Sequence, residues 1–379
     1  MTTISNIVDA VAAPYTVWRT LRGIVPEMEG RRPRFVAGNA AVTFRVMHNG
    51  QKKSLKCYTR TNKHLPAIYG SAYLQRELCI VDITGCKMWI DCLLTPYIEG
   101  VTLEEALCRA ATAEELKLLA AAFDQMACGI LLSERAHGDL KPENIIVRED
   151  GQMEAIDWDA AYLPSLAGEL ALETGTAAYQ HPLRTNALYD KHIDDYSIAA
   201  ISVLLHTAAI DPTTLEHFRQ YKEPRLQPQR IIKGDVAELE RISELFARKG
   251  MAQAYRLSQM LVSPIPRLFN LGNILSPSAP EDDDSTPHLD QINGYWGCCA
   301  DGRWLIKPHF DNGYEPTDGV MVAELGGYVH LVAMDGRIVR SFDRGTRIKP
   351  LRNGTTTAHY TDGREEIVNS VDLLQNLDK

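Results

Sequence analysis

A short polar run at residues 137–147 carries three side chains of different chemistry close together. Asp139 is an acid, Lys141 is a base and Asn144 is an amide, and an apolar stretch typical of a β-strand follows them directly. After a turn and a second short apolar segment comes the Asp-Trp-Asp run at residues 157–159. Carboxylates buried in a core need partners, whereas Mg²⁺ prefers a few oxygen ligands together with substrate phosphates. The pattern therefore predicts a hairpin whose polar ends form a divalent-cation site.

Strands are predicted upstream of this run. Residues 35–46 have the pattern of a hairpin with small residues at its tip, including Gly38, and the Asn-Gly pair at 49–50 is a strong signal for a second hairpin. The strand expected at residues 54–58 carries Lys56 between apolar neighbours. A lysine in such a strand must find either solvent or an anion, which makes Lys56 a candidate partner for an anionic group.

Helices are predicted for most of the middle of the chain. The apolar spacing favours a helix over residues 66–81, which contains Glu77, and another over residues 113–134. Residues 198–210 are mostly apolar but too few for a membrane span, so we expect a buried core helix there. Further helices are expected to about residue 271. Together with the upstream strands, this pattern predicts an α+β fold.

Composition argues against several classes of protein. The chain has 379 residues and a net charge of −9, whereas broad nucleic-acid binding needs a basic face. Its eight cysteines form no C-x-x-C pair, which argues against a zinc site and is typical of reduced thiols. No cationic and apolar leader opens the sequence, so we expect no signal peptide and no membrane association. A cytoplasmic location is the expectation that follows.

The C-terminal quarter of the chain has a different character. Residues 275–289 are rich in proline, serine and aspartate, which predicts a linker. In residues 290–379, Asp-Gly pairs at 301–302 and 335–336 lie 34 residues apart between apolar stretches, and a shorter copy follows near residue 362. Asp-Gly between such stretches is a hairpin signal, so a repeated β-hairpin region is predicted.

Three motifs resemble those of a known superfamily. Residues 137–147 read His-Gly-Asp-Leu-Lys-Pro-Glu-Asn-Ile-Ile-Val and resemble the catalytic loop of eukaryotic-type protein kinases, H-R-D-L-x-x-x-N, with Gly138 in the arginine position. Asp157 stands where that family has the aspartate of D-F-G, 18 residues after Asp139. Residues 174–182 resemble the G-T-x-x-Y-x-x-P that closes the activation segment, although the family's final glutamate is absent.

The resemblance implies catalytic and metal-binding roles for five of these residues. Asp139 would orient the acceptor hydroxyl and take its proton, and Lys141 would stabilise charge on the transferred phosphoryl group. Thr176 would brace both of these side chains. Asn144 and Asp157 would hold Mg²⁺ against the phosphates of ATP.

The resemblance also implies an ATP-binding set in the N-terminal part of the chain. Lys56 would contact the α- and β-phosphates, and Glu77 would be the helix glutamate that holds this lysine. Gly38 would lie in the loop over the phosphates, where the family has G-x-G-x-x-G and this chain has one glycine beside small residues. Backbone groups of Pro96 and Ile98 would meet the adenine edge in a hinge.

A bilobal, protein-kinase-like fold and a set of domain boundaries are implied as well. An extension at 1–30 would precede an N-lobe at 31–97, built from an antiparallel sheet and a helix, and a mostly helical C-lobe at 98–274. After the linker, the small β-hairpin domain at 290–379 resembles WG repeats, with Gly-Tyr-Trp-Gly at 294–297. Such repeats are usually taken as interaction modules, so a protein partner is expected there, with the packing of an appendage as the alternative.

Three functions remain open at this point. A Ser/Thr protein kinase acting on a protein substrate is favoured by Lys141 and Thr176. A small-molecule kinase of the aminoglycoside or choline phosphotransferase type would also carry H-G-D and an I-D-W-E-like metal motif. A pseudokinase scaffold is suggested by the sparse glycine loop. Because Gly138 replaces the arginine that usually pairs with a phosphorylated activation loop, we expect activity that does not await phosphorylation of Ser165 or Thr174.

Overall fold

In the computed structural model the chain forms two compact units. The first comprises Met1–Ala110, Ser133–Thr176 and Thr185–Asp194, and the second comprises Ala111–Leu132, Ala177–Arg184 and Asp195–Lys379. The residues that the structure describes are 3–13, 17–81, 84–263, 266–268, 271–275, 287–300, 303–351 and 354–370. Several small antiparallel sheets and a set of helices make the fold α+β, as predicted.

The first unit is mainly β-structure. Its described strands are β1 (Val25–Pro26), β2 (Met28–Glu29), β3 (Arg32–Pro33), β4 (Phe35–Ala37), β5 (Ala41–His48), β6 (Gln51–Tyr58), β7 (Tyr73–Val81), β8 (Lys87–Pro96), β9 (Val101–Thr102), β10 (Ile145–Val147) and β11 (Met153–Ala155). Its described helices are α1 (Ile4–Ala12), α2 (Leu65–Tyr69) and α3 (Leu103–Arg109). The main sheet has the order β1-β5-β6-β8-β7, with β4 also paired to β5, and a small sheet has the order β11-β10-β9.

The hairpin of β5 and β6 forms where the sequence predicts it. Asn49 and Gly50 both have positive φ, the conformation of the tight turn that joins two twisted strands. Phe44 and Leu55 are paired across the hairpin and fully buried in the core of the sheet. Apolar residues of α1 contribute to the same core, so the predicted N-terminal extension packs on this sheet.

The predicted helix over residues 66–81 is wrong for most of its length. Helix α2 ends at Tyr69, a short 3₁₀ turn follows, and the rest is strand β7. Leu78 and Ile80 pair with β8 and are fully buried in the sheet core. Burial against a neighbouring strand outweighs the moderate helix propensity of this segment, because local preferences are small compared with tertiary packing.

The second unit combines helices with a series of β-hairpins. Its described helices are α4 (Ala113–Leu132), α5 (Asp195–Ile210), α6 (Leu215–Tyr221), α7 (Pro228–Ile232), α8 (Ala237–Arg248), α9 (Ala252–Met260) and α10 (Leu271–Leu275). Its described strands are β12 (His288–Ile292), β13 (Tyr295–Ala300), β14 (Arg303–Phe310), β15 (Asn312–Gly313), β16 (Val320–Leu325), β17 (Tyr328–Ala333), β18 (Ile338–Phe342), β19 (Thr355–His359) and β20 (Glu365–Asn369). The predicted helices at 113–134 and 198–210 are confirmed as α4 and α5.

Helix α5 is the buried core helix that its composition predicts. Its Ser202 and His206 point to α4, where both bond the carboxylate of Asp124, at 2.6 Å and 2.8 Å. This arrangement explains how two polar residues are tolerated in a mostly apolar helix, since buried polar groups need hydrogen-bond partners. Among the described residues, no helix is both long enough and apolar enough to cross a bilayer.

The C-terminal hairpins contain two Asp-Gly-Arg turns with the same internal bonds. In the turn between β17 and β18, Arg337 donates from its backbone N and from Nε to the carboxylate of Asp335, at 3.0 Å and 2.6 Å. In the turn between β19 and β20, Arg364 donates to Asp362 in the same way and at the same distances. The predicted repetition of hairpins is therefore present at these two turns. The Asp-Gly pair at 301–302 and residues 276–286 of the predicted linker lie outside the described residues.

Gly297 of strand β13 is required by sterics. A Cβ on Gly297 would lie 2.4 Å from the carbonyl oxygen of Ile306 and 2.9 Å from the Trp304 ring. Strands β13 and β14 are in contact at this point, and only a residue without a side chain lets them approach so closely.

Candidate functional site

The polar run at 137–144 is fixed to the end of the β10–β11 hairpin. Nε2 of His137 lies 2.7 Å from the carbonyl oxygen of Ile156, and the backbone N of Ile156 donates to the carbonyl oxygen of Asn144 at 2.8 Å. Both sides of the hairpin therefore end in the same hydrogen-bonded group. Asp157 follows directly, with φ 65° and ψ 60°, a left-handed conformation that aspartate tolerates better than most residues.

Gly138 is required at its position by sterics. Its φ is +84°, and a Cβ would lie 2.2 Å from the carbonyl oxygen of Ala160. Its backbone N and that of His137 both donate to the buried carboxylate of Asp194. The tight turn thus explains why the residue at position 138 is glycine, and the Asp194 carboxylate anchors the turn.

Asp139, Lys141 and Thr176 form one hydrogen-bonded group. The backbone N of Thr176 donates to Oδ1 of Asp139 at 2.6 Å, and Nζ of Lys141 donates to the Thr176 hydroxyl at 3.0 Å. Nζ of Lys141 also lies 3.3 Å from Oδ2 of Asp139. The amide of Asn144 donates to the carbonyl oxygen of Asp139 at 2.9 Å. The contacts that the sequence predicts between Thr176 and the other two side chains are therefore present.

Lys56 reaches the Asp-Trp-Asp run from strand β6. Its Nζ donates to Oδ1 of Asp157 at 2.5 Å and to Oδ2 of Asp159 at 2.7 Å. The Lys56 and Asp159 side chains are 15 % and 18 % exposed, whereas that of Asp157 is 45 % exposed. Burial lowers the pKa of Lys56, but the two carboxylates outweigh burial and the net pKa is raised. Lys56 is therefore a charged lysine held between two aspartates.

Two tyrosines that sequence reasoning missed hold Asp159. The hydroxyls of Tyr58 and Tyr69 donate to its Oδ1 at 3.0 Å and 2.8 Å. Burial raises the pKa of both phenols, and the charge on Asp159 raises it further, so both remain protonated donors. The spacing gave one usable signal, because Tyr58 is two residues after Lys56 and neighbours at that spacing lie on the same face of a strand. Tyr69, on α2, gave none.

Glu77 has a different partner from the one the sequence predicts. It lies on β7 and is 1 % exposed, and its carboxylate accepts hydrogen bonds from the backbone N atoms of Thr20 and Leu21 and from the Thr20 hydroxyl. The carboxylates that Lys56 contacts are those of Asp157 and Asp159. Because the segment is a strand instead of a helix, its glutamate fastens the N-terminal segment to the sheet.

The remaining predicted ATP-binding residues lie at strand ends of the main sheet. Gly38 lies at the tip between β4 and β5, where its N donates to the carbonyl oxygen of Ala41 at 2.9 Å. A Cβ at Gly38 would meet that oxygen at an ordinary distance, 3.7 Å, so sterics do not require glycine there. Pro96 is exposed at the end of β8, and Ile98 follows in the irregular segment before β9.

Glu173 adds negative charge to these surroundings and was also missed. Burial raises the pKa of its carboxyl, and the charges of Asp139, Asp159 and Asp157 raise it further. The side chain nonetheless has much of its surface in contact with solvent. With Glu173 the surroundings contain four carboxylates, which the charges of Lys56 and Lys141 balance in part.

The donor atoms fit Mg²⁺ only in combination with phosphate. Asp157 offers a half-exposed carboxylate, and Asn144 offers an amide oxygen because its nitrogen is bonded to Asp139. No group of three or more His, Cys, Asp or Glu side chains within the described part of the chain is arranged to hold a metal ion. Mg²⁺ commonly binds one or two protein groups and completes its shell with phosphates and water, so these donors suit it better than a metal that needs a full protein cage.

Comparisons with protein-family models and with curated proteins found no match for this chain.

Proposed function

We propose that this protein is an ATP- and Mg²⁺-dependent phosphotransferase of protein-kinase-like, bilobal fold, which transfers the γ-phosphate of ATP to a hydroxyl of a protein substrate. The observation that carries the proposal is the hydrogen-bonded group of Asp139, Lys141 and Thr176. Phosphoryl transfer asks a protein mainly to position reactants and to neutralise charge. A carboxylate and a lysine fixed beside each other by one threonine can do both.

Asp139 would act on the acceptor. The backbone N of Thr176 holds Oδ1 and so fixes the plane of the carboxylate. Oδ2 lies near Nζ of Lys141, at 3.3 Å, and Nδ2 of Asn144, at 3.4 Å, and its remaining lone pair would accept from the acceptor hydroxyl. A carboxylate within hydrogen-bond reach orients the hydroxyl and accepts its proton as the oxygen attacks phosphorus. Lys141, 3.3 Å from Oδ2, would stabilise negative charge on the phosphoryl oxygens nearby.

Asn144 and Asp157 would hold Mg²⁺, which when bound neutralises charge on the phosphate oxygens. The half-exposed Asp157 carboxylate is accessible for this role. Lys56 would contact the phosphates from β6, while Gly38 and the backbone of Pro96 and Ile98 would line the nucleotide site at the ends of strands of the same sheet. Each of these groups binds or orients, and the proton passes to Asp139.

A small-molecule kinase is the second candidate. The observation in its favour is Asp159, which brings a second carboxylate of the Asp-Trp-Asp run to Lys56 and so resembles the I-D-W-E pattern of the aminoglycoside and choline phosphotransferases. The lysine–threonine pair of Lys141 and Thr176 favours the protein kinase.

We further propose that the C-terminal hairpins bind a protein partner. Tyr295 and Tyr328 begin β13 and β17, and each is 48 % exposed. Exposed aromatic side chains at matching positions of a repeat are common anchors of protein interfaces. We also propose a cytoplasmic location, because the scatter of the eight cysteines along the sequence is typical of reduced thiols.

The test is phosphate transfer from γ-labelled ATP with Mg²⁺. Acceptors are the protein itself, generic protein substrates and a panel of small-molecule alcohols. Label on protein serine or threonine is expected, with a rate that falls about 10²–10⁴-fold in Asp139→Asn. Label on small molecules alone would replace the first candidate by the second. The absence of transfer to any acceptor, with ATP still bound, would support the pseudokinase scaffold.

The matched control is Glu134→Gln. This exposed carboxylate pairs with Lys191, at 3.0 Å, in the same unit but has no contact with the proposed site among the bonds described. The same change of acid to amide should leave transfer unaltered there. A comparable loss in both variants would show that the effect of Asp139→Asn is not specific.

A further inference from the structure

Lys56 has two carboxylate partners that differ in their surroundings. Asp159 is mostly buried and its second oxygen accepts two tyrosine hydroxyls, whereas Asp157 is half-exposed. The backbone carbonyl oxygen of Asp159 also accepts from the amide of Asn62, at 3.3 Å. Asp159 is therefore held from three directions, while Asp157 is the partner that a cation can reach from solvent.

The expected helix glutamate is not free for Lys56. Glu77 is committed to the backbone at Thr20 and Leu21, with bonds of 2.8 Å and 2.7 Å. A buried lysine without a counter-ion is costly, so some other acid must hold its charge when Asp157 binds a metal ion. Asp159 is the described carboxylate that meets this requirement.

We propose that Asp159 is the permanent counter-ion of Lys56 and that Asp157 is the exchangeable one. Asp159 keeps Lys56 in place for the phosphates and leaves Asp157 free to bind Mg²⁺. It is thus a positioning residue for the proposed phosphotransferase, on whose function this inference rests. Tyr58 and Tyr69 contribute to the same role, because their hydroxyls hold the Asp159 carboxylate that holds Lys56.

The proposal has a consequence for assembly of the site. The lysine–acid pair is made by residues of β6 and of the 3₁₀ turn after β11, and Tyr69 at the end of α2 supports it. Each of these residues lies in the same compact unit.

The test measures how Mg²⁺ affects nucleotide binding in Asp159→Asn. An amide can still accept the tyrosine hydroxyls, but it carries no charge for Lys56. Lys56 then depends on Asp157 alone and competes with the metal ion for it. We expect the Mg²⁺ concentration that gives half of the thermal stabilisation by ADP to rise by about three- to tenfold. The upper end, roughly tenfold, corresponds to the loss of one full charge-assisted hydrogen bond.

A double-mutant cycle with Lys56→Met distinguishes positioning from a structural role. If Asp159 acts through Lys56, the change to asparagine shifts the Mg²⁺ requirement in the wild-type background and has no further effect when Lys56 is methionine. The kcat of phosphate transfer should follow the same pattern, with a fall of roughly tenfold in the single variant. Asp159→Glu, which keeps the charge, should restore part of both losses, and Glu134→Gln should change neither.

The outcomes separate this inference from the proposed function. An equal shift of the Mg²⁺ requirement in the wild-type and Lys56→Met backgrounds would overturn the proposed role of Asp159 but not the proposed function. An unchanged Mg²⁺ requirement in Asp159→Asn would do the same. No stabilisation of the wild type by ADP at any Mg²⁺ concentration would overturn the proposed function and the inference with it. Tyr69→Phe gives an independent check, since it leaves every charge in place and should produce a smaller shift in the same direction.

Discussion

The charged contacts around Lys56 and those of the C-terminal hairpins are built in opposite ways. Lys56 bonds two aspartates that lie 101 and 103 residues later in the chain, and its side chain is mostly buried. In the hairpins, Arg337 bonds an aspartate two residues away and is 56 % exposed. The two regions use the same type of ion pair with very different sequence separation and burial.

The difference shows what each kind of pair can do. Water screens an exposed pair in a turn, and its geometry is set by the turn itself, so it supports a local shape. A buried pair between distant segments is little screened and exists only when the unit is folded. Chemistry that needs a charge held at a fixed point is therefore expected at Lys56 and not in the hairpins.

The largest effect is expected on the rate of phosphate transfer, from Lys56→Met in the buried ion pair. Methionine fills a similar volume but leaves Asp157 and Asp159 without their cation. Phosphate transfer should fall about 10²–10³-fold, as when one preorganised charge donor is removed from an active site. Steady-state rates with labelled ATP measure this. Lys63→Met is the control, because Lys63 is an exposed lysine of the same unit that pairs with Glu169; retention of full activity by Lys56→Met would contradict the proposal.

The next effect is on the stability of the first unit. Gly138→Ala forces a side chain into a left-handed backbone and against the Ala160 carbonyl, so the free energy of unfolding should fall by about 2–4 kcal/mol. Urea unfolding measures it. Gly38→Ala is the control in the same unit, because its Cβ has room and its φ is not positive. Similar losses in both variants would mean that the turn at Gly138 does not constrain the site.

A smaller effect on phosphate transfer is expected from substitutions in the segment between Asp159 and Thr176. If tertiary contacts such as the bond from Thr176 to Asp139 assemble the site, phosphorylation there is unnecessary. The double variant Ser165→Ala, Thr174→Ala should keep phosphate transfer within about twofold, since surface substitutions are usually close to neutral. If the double variant loses activity, and higher concentrations of acceptor and Mg²⁺ do not restore it, the site would depend on phosphorylation of this segment.

The smallest effect on activity and stability is expected from substitutions in the C-terminal hairpins. Asp335→Asn removes the charge that Arg337 contacts but leaves an acceptor for its backbone N. Because the pair is exposed and local, neither phosphate transfer nor the urea midpoint should change measurably. Asp362→Asn is the matched variant in the second turn and should behave in the same way. A marked loss of transfer in either would indicate that these turns contribute to the reaction.

The sequence predicted much of the site because its motifs are compact. The run from His137 to Asn144 and the strand after it are local patterns, and the structure has that strand, the turn and the contacts of Thr176. It failed at Glu77, where a helical pattern is outweighed by strand pairing with β8. It also missed Tyr69, which bonds Asp159 only through the fold, and Glu173, whose carboxyl pKa is raised by burial and by the charges of Asp139, Asp159 and Asp157.

The sequence by itself determined the α+β class, the Asn-Gly and Asp-Gly turns, the buried helix α5 and the chemistry available at Asp139, Lys141 and Asn144. These depend on residue type and short spacing, which local sterics and burial translate directly into structure. Only the tertiary structure decided which acids hold Lys56 and why Gly138 is glycine. Both follow from contacts between residues far apart in the chain, and such contacts produce no periodic pattern in the sequence.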